Sequence, residues 1–212
     1  MKKFKGPLAT RRSVLLSLAA IPLAIRAPLP RPRPPLKNTP VKSAPIRVYL
    51  LRGLFVGGYI FSRGLDAIAK KMESQVENLK ASVHWNEEWL FLENDAEAAY
   101  KQNGTRVVLI GHSAGANSAL RIAASMAPAP VALVITIDPT RIAPSIPSNI
   151  EHFVNLYNST TLLGGGWFRQ SRFNGRFEQI DLSSQVFLHI GMDKSSVVQT
   201  MILDRVAALA SS

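Results

Sequence analysis

The sequence contains no cysteine among its 212 residues. That excludes disulfides, thiolate metal sites and a lipid-modified cysteine anchor. Long apolar runs are missing too. The longest, near the N-terminus, is about a dozen residues, against the roughly 20 a membrane-spanning helix needs. The glycine-rich turn at residues 53–58 lacks the Gly-x-Gly-x-x-Gly spacing, so it carries no dinucleotide signature. Acidic residues are absent from residues 1–45, which hold ten Lys or Arg. The remaining residues hold fifteen basic and fourteen acidic side chains, so the formal charge of +11 falls to +1 outside that stretch. With a nearly neutral body nothing argues for a polyanion-binding face, and no nucleic-acid partner is expected.

What is present is an ordinary globular composition, with 47% hydrophobic residues and length for one domain with a sizeable core. The chain is organised around residues 106–120. An apolar β-branched run, Arg106–Ile110, stops at Gly111; Ser113 follows, and then a run of small helix formers to Met126. Gly111-His112-Ser113-Ala114-Gly115 fits Gly-x-Ser-x-Gly between a strand and a helix. The spacing has a steric cause. Ser113 is expected at the tip of a sharp turn in a strained backbone conformation. Glycines on either side let the strand and helix approach closely. The hydroxyl then stands at the carboxyl edge of a sheet, beside helical N–H groups that favour negative charge.

Taken in order, the chain divides into three parts. Residues 1–27 combine a basic start, Thr10-Arg11-Arg12-Ser13-Val14-Leu15-Leu16 and an apolar stretch to Ile25. This resembles a twin-arginine export signal, with Val14 and Leu16 departing from the usual pattern and an ordinary secretory signal as the alternative. Export to the periplasm or beyond is implied, with membrane contact only through this signal. Residues 28–45 are a spacer whose seven prolines disfavour helix and sheet. Residues 46–212 read as strands alternating with helices. The strands are Ile46–Leu51, Ala81–Trp85, Arg106–Ile110, Val131–Ile137, His152–Tyr157, Phe177–Asp181 and the apolar Val186–Ile190. Phe61, Leu65, Ile68, Met72, Val76 and Leu79 form one face of a helix. Further helices are expected over Glu87–Gln102, with Trp89, Leu92 and Ala96 inward, and over Ser195–Leu209. That alternation predicts an α/β fold: a mostly parallel sheet with helices on both faces.

From the elbow outward the chain resembles the α/β-hydrolase superfamily. The resemblance covers residues 46–212 and implies the chain order serine, acid, histidine. Ser113 is then the nucleophile. His84 and His112 precede or abut it, and His152 heads a strand. His189, before the last helix, lies where the superfamily keeps its base. His112 fills the variable position of the motif and is expected to pack behind the turn. No carboxylate follows His152–Tyr157, the usual acid position. Asp138, which ends the strand after the elbow helix, is the first candidate, at the position used by thioesterase domains and some lipases. Its place before Pro139 predicts extended geometry. Asp181 is the rival, and Asp193 is read as a cap of the last helix. The oxyanion hole needs two N–H donors. Ala114 supplies one, and Leu54 the other by position, with Phe55 the alternative.

The implied activity is that of a serine hydrolase cleaving a carboxylic ester or thioester through an acyl-enzyme on Ser113. No metal or organic cofactor is implied; the partner is a small-molecule or lipid-like ester. An acyl thioesterase and a non-catalytic binding protein of the same fold are the alternatives. Only residues 138–151 separate the strand ending at Ile137 from the next, too few for a lid domain. The longer segment 158–176 carries Gly164-Gly165-Gly166, Trp167, Phe168, Phe173 and the basic Arg169, Arg172 and Arg176. It reads either as a mobile flap over the site or as a plain surface loop.

Overall fold

Strand-forming runs of Val, Ile and Leu, each carried back to the same end of the sheet by a helix or loop, build a single parallel sheet. The computed structural model describes residues 44–54, 62–102, 104–170, 173–185 and 188–211. All of these belong to one unit, Val41–Ser212. The expected signal, the spacer up to residue 43, Phe55, Gly57, Gly58, Phe61, Arg172 and Val186 lie outside the described residues.

The strands are β1 (Ile46–Leu51), β2 (Leu79–His84), β3 (Arg106–His112), β4 (Leu133–Ile137), β5 (His152–Tyr157) and β6 (Arg176–Asp181). The helices are α1 (Gly64–Gln75), α2 (Trp89–Lys101), α3 (Ala114–Ser125) and α4 (Ser196–Ala210). The sheet order is β2-β1-β3-β4-β5-β6, with every pairing parallel. The order reverses at β1 and β3, where the chain leaves in opposite directions. A crevice therefore opens beyond their carboxyl ends, the usual ligand position in such sheets.

Two-residue alternation sorts the core into two layers. Val48 and Leu50 of β1 and Val108 and Ile110 of β3 face Leu65, Ile68 and Met72 of α1 and Val198, Ile202 and Val206 of α4. Tyr49 and Leu51, with Val107 and Leu109, face Leu92 and Ala96 of α2 and Ala119, Leu120 and Ile122 of α3. Burial on both faces is why these strands read as continuous apolar runs. Truncating a fully buried leucine such as Leu109 to alanine removes about 2–5 kcal/mol of stability.

Several boundaries differ from the sequence reading, for local reasons. The α1 face closes at Met72: the helix ends at Gln75, and Asn78 turns the chain with φ 57° into β2, which therefore begins at Leu79. A short 3-10 turn, Asn86–Glu88, precedes α2. Val131 bridges Ile150 alone, outside β4. His189 opens a 3-10 helix, His189–Lys194, rather than closing a strand. Asp193 does not cap α4. Its buried Oδ2 accepts the N–H of Gly64, the first residue of α1, at 2.6 Å.

Candidate active site

The site forms where β1, β3 and β4 end. Ser113 has φ 56° and ψ −121°, a left-handed conformation costing about 1–3 kcal/mol in a non-glycine residue. Packing holds it there. A Cβ on Gly111 would overlap the backbone of Gly115 and Ala116. One on Gly115 would overlap the carbonyls of Leu51 and Arg52. The elbow glycines thus let β3, α3 and the end of β1 touch. The Ser113 N–H is fixed to the Ile137 carbonyl at 2.9 Å. Its side chain faces the crevice beside Ala114, which opens α3 and presents N–H groups that no earlier helical turn can satisfy.

Three side chains from distant parts of the chain meet here. Ser113 Oγ lies 2.9 Å from His189 Nε2, and His189 Nδ1 lies 2.6 Å from Asp138 Oδ2. Asp138 is fully buried, whereas Ser113 is part-exposed to the crevice. Burial by itself raises the Asp138 carboxyl. Hydrogen bonds from His189 and from the N–H groups of Asn158 and Gly165 outweigh it and hold the carboxyl below its usual range. The two N–H groups reach Oδ1 at 3.0 and 2.7 Å, and the Thr161 hydroxyl reaches Oδ2 at 3.1 Å.

The expected extended geometry at Asp138 is not found: its φ is 44°. Four donors converge on its carboxylate, and their sum outweighs the preference that Pro139 imposes. The segment after β5 contributes Leu163 to the cavity wall, and its described glycines are hydrogen-bonded around the acid. Gly165 N–H holds Asp138, Gly166 N–H bonds the Pro139 carbonyl at 3.0 Å, and Asn155 donates to the Gly166 carbonyl at 3.0 Å. Phe168 and Phe173 are buried against Phe153. Gly164 packs so tightly that a Cβ would overlap both the Asp138 carboxylate and His189 Nδ1. Sequence reasoning missed Asn158, Thr161 and Gly164 as neighbours of the acid. The glycine triplet was the available signal, but it reads as mobility until the carboxylate beneath it is seen.

The rival acid is not brought to His189. Asp181 is exposed at the end of β6, where its Oδ1 accepts the N–H groups of Ser159 and Ser183 at 3.3 and 3.0 Å. His112 is buried behind the elbow, with its ring 5.1 Å from that of His189. His84 sits between Ser82 and Glu88, and His152 bonds Glu178. Leu54 lies at the mouth, about half exposed. Phe55 is outside the described residues.

A cavity of about 320 Å³ opens over Ser113 and His189, walled by Leu54, Leu163, Ile190 and Thr140. A larger hollow of about 870 Å³ lies at the opposite, amino end of β1, beside Arg47, Tyr49 and Asp95. There the Tyr49 hydroxyl donates to Asp95 Oδ2 at 2.6 Å, and burial and that carboxylate push the hydroxyl up to about 12. Among the described residues no group of His, Cys, Asp or Glu is arranged to hold a metal ion. None of the described helices is long and apolar enough to cross a membrane.

No protein-family model matches the chain, and a search of the curated proteins finds no match. Solved structures do resemble it. An esterase domain from a Rhodothermus marinus protein superposes with a TM-score of 0.53 at 13% identity, over 81% of this chain and 88% of that one. The ydeN gene product from B. subtilis superposes with a TM-score of 0.55 at 12% identity, over 78% of this chain and 99% of that one. At such low identity the likeness carries the architecture alone, and that architecture is a small α/β-hydrolase fold with a parallel central sheet and helices on both faces.

Proposed function

We propose that the protein is a serine hydrolase that cleaves neutral carboxylic esters with apolar acyl groups. One observation carries this reading: a serine on a strained turn, hydrogen-bonded to a histidine whose other nitrogen meets a buried carboxylate. His189 Nε2 takes the hydroxyl proton as Ser113 Oγ attacks the acyl carbon. Asp138 stays ionised and accepts a hydrogen bond from His189 Nδ1–H, fixing the tautomer and stabilising the imidazolium. The N–H groups of Ala114 and Leu54 receive the oxyanion, with the N-terminus of α3 adding favourable potential. His189 then gives its proton to the departing alcohol, and water resolves the acyl-enzyme by the same path in reverse.

The walls argue for the substrate class. Leu54, Leu163 and Ile190 offer no charge to an acyl chain. At about 30 Å³ per non-hydrogen atom, taken from the packing of water, the cavity holds about ten atoms. A short or medium acyl chain fits. Thioesters share this chemistry, and the position of Asp138 is what keeps them in view. The basic start and apolar run of residues 1–27 support action outside the cytoplasm, where carrier-bound thioesters are scarce.

The test is a series of p-nitrophenyl esters from acetate to laurate, run beside a fluorophosphonate probe. We expect kcat/KM to peak at about four to eight acyl carbons and the probe to label Ser113 alone. Absence of both turnover and labelling would leave a binding protein that keeps the fold.

A further inference from the structure

We propose that Ser62 and His112 are positioning residues, forming a hydrogen-bonded strut that ties the oxyanion loop after β1 to the backbone of His189. The inference rests on the hydrolase reading above, and gives two buried polar residues a role that the reading leaves unassigned.

The proton positions in the strut follow from elementary constraints. His112 Nε2 lies 3.0 Å from the carbonyl oxygen of His189, which can only accept, so Nε2 carries the hydrogen. In the neutral ring Nδ1 is then a lone-pair acceptor. Ser62 Oγ lies 2.6 Å away and donates to it. That leaves the Ser62 oxygen free to accept the Gly53 N–H at 3.0 Å. The direction is therefore Gly53 to Ser62 to His112 to His189. Each donor has an acceptor and no member is left unsatisfied.

Three further observations place strain and burial in this strut. Ser62 is fully buried with φ 69°, a conformation that glycine would adopt without penalty. Its carbonyl is held by the Arg52 guanidinium at 3.1 Å. Gly53 packs so closely that a Cβ there would stand 3.2 Å from Ser113 Cβ. A shift of the loop therefore moves the surroundings of the nucleophile directly. Burial also draws His112 down from its ordinary value, keeping it neutral. Neutrality matters, because a charged ring 5.1 Å from His189 would oppose the imidazolium that forms there during the reaction.

With its N–H engaged by Ser62, Gly53 is not an oxyanion donor. The strut leaves that task to the next residue, Leu54, and fixes its approach. His112 lines the cavity, but the hydrogen bonds of Ser62 and His112 run to Gly53, to each other and to the His189 carbonyl rather than to Ser113 Oγ or His189 Nε2. Their effect runs through geometry, and an error of about 1 Å can cost about a hundredfold in rate.

The experiment uses the full chain with Ser62→Gly, His112→Leu, His112→Gln and the double variant Ser62→Gly with His112→Leu. Ser62→Gly removes the hydroxyl while relieving the backbone, so it keeps the test open even if His112→Leu fails to fold. At equal folded concentration we expect Ser62→Gly and His112→Leu each to lower kcat about 10- to 100-fold, with KM within about threefold. The double variant should be no worse than the poorer single one, since both break the same strut. His112→Gln, which retains a donor for the His189 carbonyl, should recover much of the loss. A merely structural role predicts lower melting temperatures with wild-type kcat per folded molecule, or additive losses; either overturns the strut while the hydrolase reading stands. A wild-type protein without turnover or labelling overturns both.

Discussion

The described residues include two lines of serine, histidine and carboxylate, and of these two one has the surroundings of a reactive centre. Ser113, His189 and Asp138 are joined at 2.9 and 2.6 Å. Ser82, His84 and Glu88 are joined at 2.7 and 3.0 Å. By distance the second is nearly as good. The differences lie elsewhere. Ser82 lies in the regular edge strand β2, whereas Ser113 stands on a strained turn at a helix N-terminus. Glu88 has 41% of its side chain exposed, whereas Asp138 has none. The Ser113 hydroxyl opens into an apolar cavity, where the proposed reading sets the Ala114 and Leu54 N–H groups as oxyanion donors. The other carboxylate closes a helical turn instead, accepting the Trp85 N–H at 2.9 Å. Hydrogen-bond lengths do not distinguish a reactive triad from a cap. On the proposed reading, backbone strain, burial of the acid and a place for the oxyanion do.

The largest expected effect tests the Ser113 line directly. Ser113→Ala should lower kcat by about 10³- to 10⁶-fold and abolish fluorophosphonate labelling, with an unchanged melt. Turnover at the wild-type level would collapse the contrast between the two lines, and the hydrolase reading with it.

Next comes the acid. Asp138→Asn should lower kcat about 10²- to 10⁴-fold, because an amide presents the wrong partner to His189 Nδ1. Asp181→Asn should leave kcat within about twofold, since Asp181 only caps Ser159 and Ser183. The reverse pattern, measured at equal folded concentration, would move the triad to the other strand end.

Acid separates the two lines more weakly, since both carboxylates are held low. Burial raises Glu88, but the Trp85 N–H and His84 outweigh it. For Asp138 the folded value lies below the ordinary 3.8, so its stabilising contribution is present above that pH and lost as pH falls through the folded value. His112 acts earlier. Its folded value is depressed below 6.5, so the unfolded chain takes up a proton first and stability declines as pH falls below 6.5. Chemical denaturation at several pH values between 7 and 5 should show this slope, and His112→Gln should reduce it to the part that His152, also drawn down by burial, contributes. An unchanged slope would mean that His112 is protonated in the folded state as well.

How much of this was legible from the residues depends on the reach of each interaction. The elbow is local: two glycines, a serine and a β-branched run lie within ten residues, and backbone sterics dictate the outcome. The parallel sheet follows from apolar strands alternating with amphipathic helices. Chain order, a property of the resemblance rather than of spacing, pointed to Ser113 and His189 but left Asp138 and Asp181 both open as the acid; the structure brings Asp138 to His189. What stayed hidden was set by partners far along the chain. The left-handed φ of Asp138 is imposed by Asn158, Thr161, Gly165 and His189, none of which a Pro-based rule consults. Asp193 sits near α4 in sequence and looks like its cap, yet it reaches Gly64 across the fold. Ser62 carried no motif at all. Its strut appears only when β1, β3 and the turn at His189 are brought together.

The smallest expected effect is the sharpest test of what separates the two lines. Ser82→Ala removes the hydroxyl that meets His84, and Glu88→Gln removes the charge while keeping an acceptor for Trp85. If strain, burial and an oxyanion site are what make a triad, neither change should alter kcat or fluorophosphonate labelling beyond about twofold. Each should cost only stability, on the order of 0.5–1 kcal/mol for a part-exposed hydrogen bond. A double variant, Ser82→Ala with Glu88→Gln, should lose less than the sum, because both bonds converge on one imidazole. The decisive control is the Ser113→Ala background, where any residual labelling must come from another residue. If the probe then maps to Ser82, a part-exposed serine on a regular strand can be activated by a histidine and a half-exposed carboxylate alone. The strain at Ser113 and the burial of Asp138 would then be consequences of the fold rather than conditions of the chemistry. If no label remains, the distances shared by the two lines are shown to be insufficient within one molecule, with the same solvent, pH and probe.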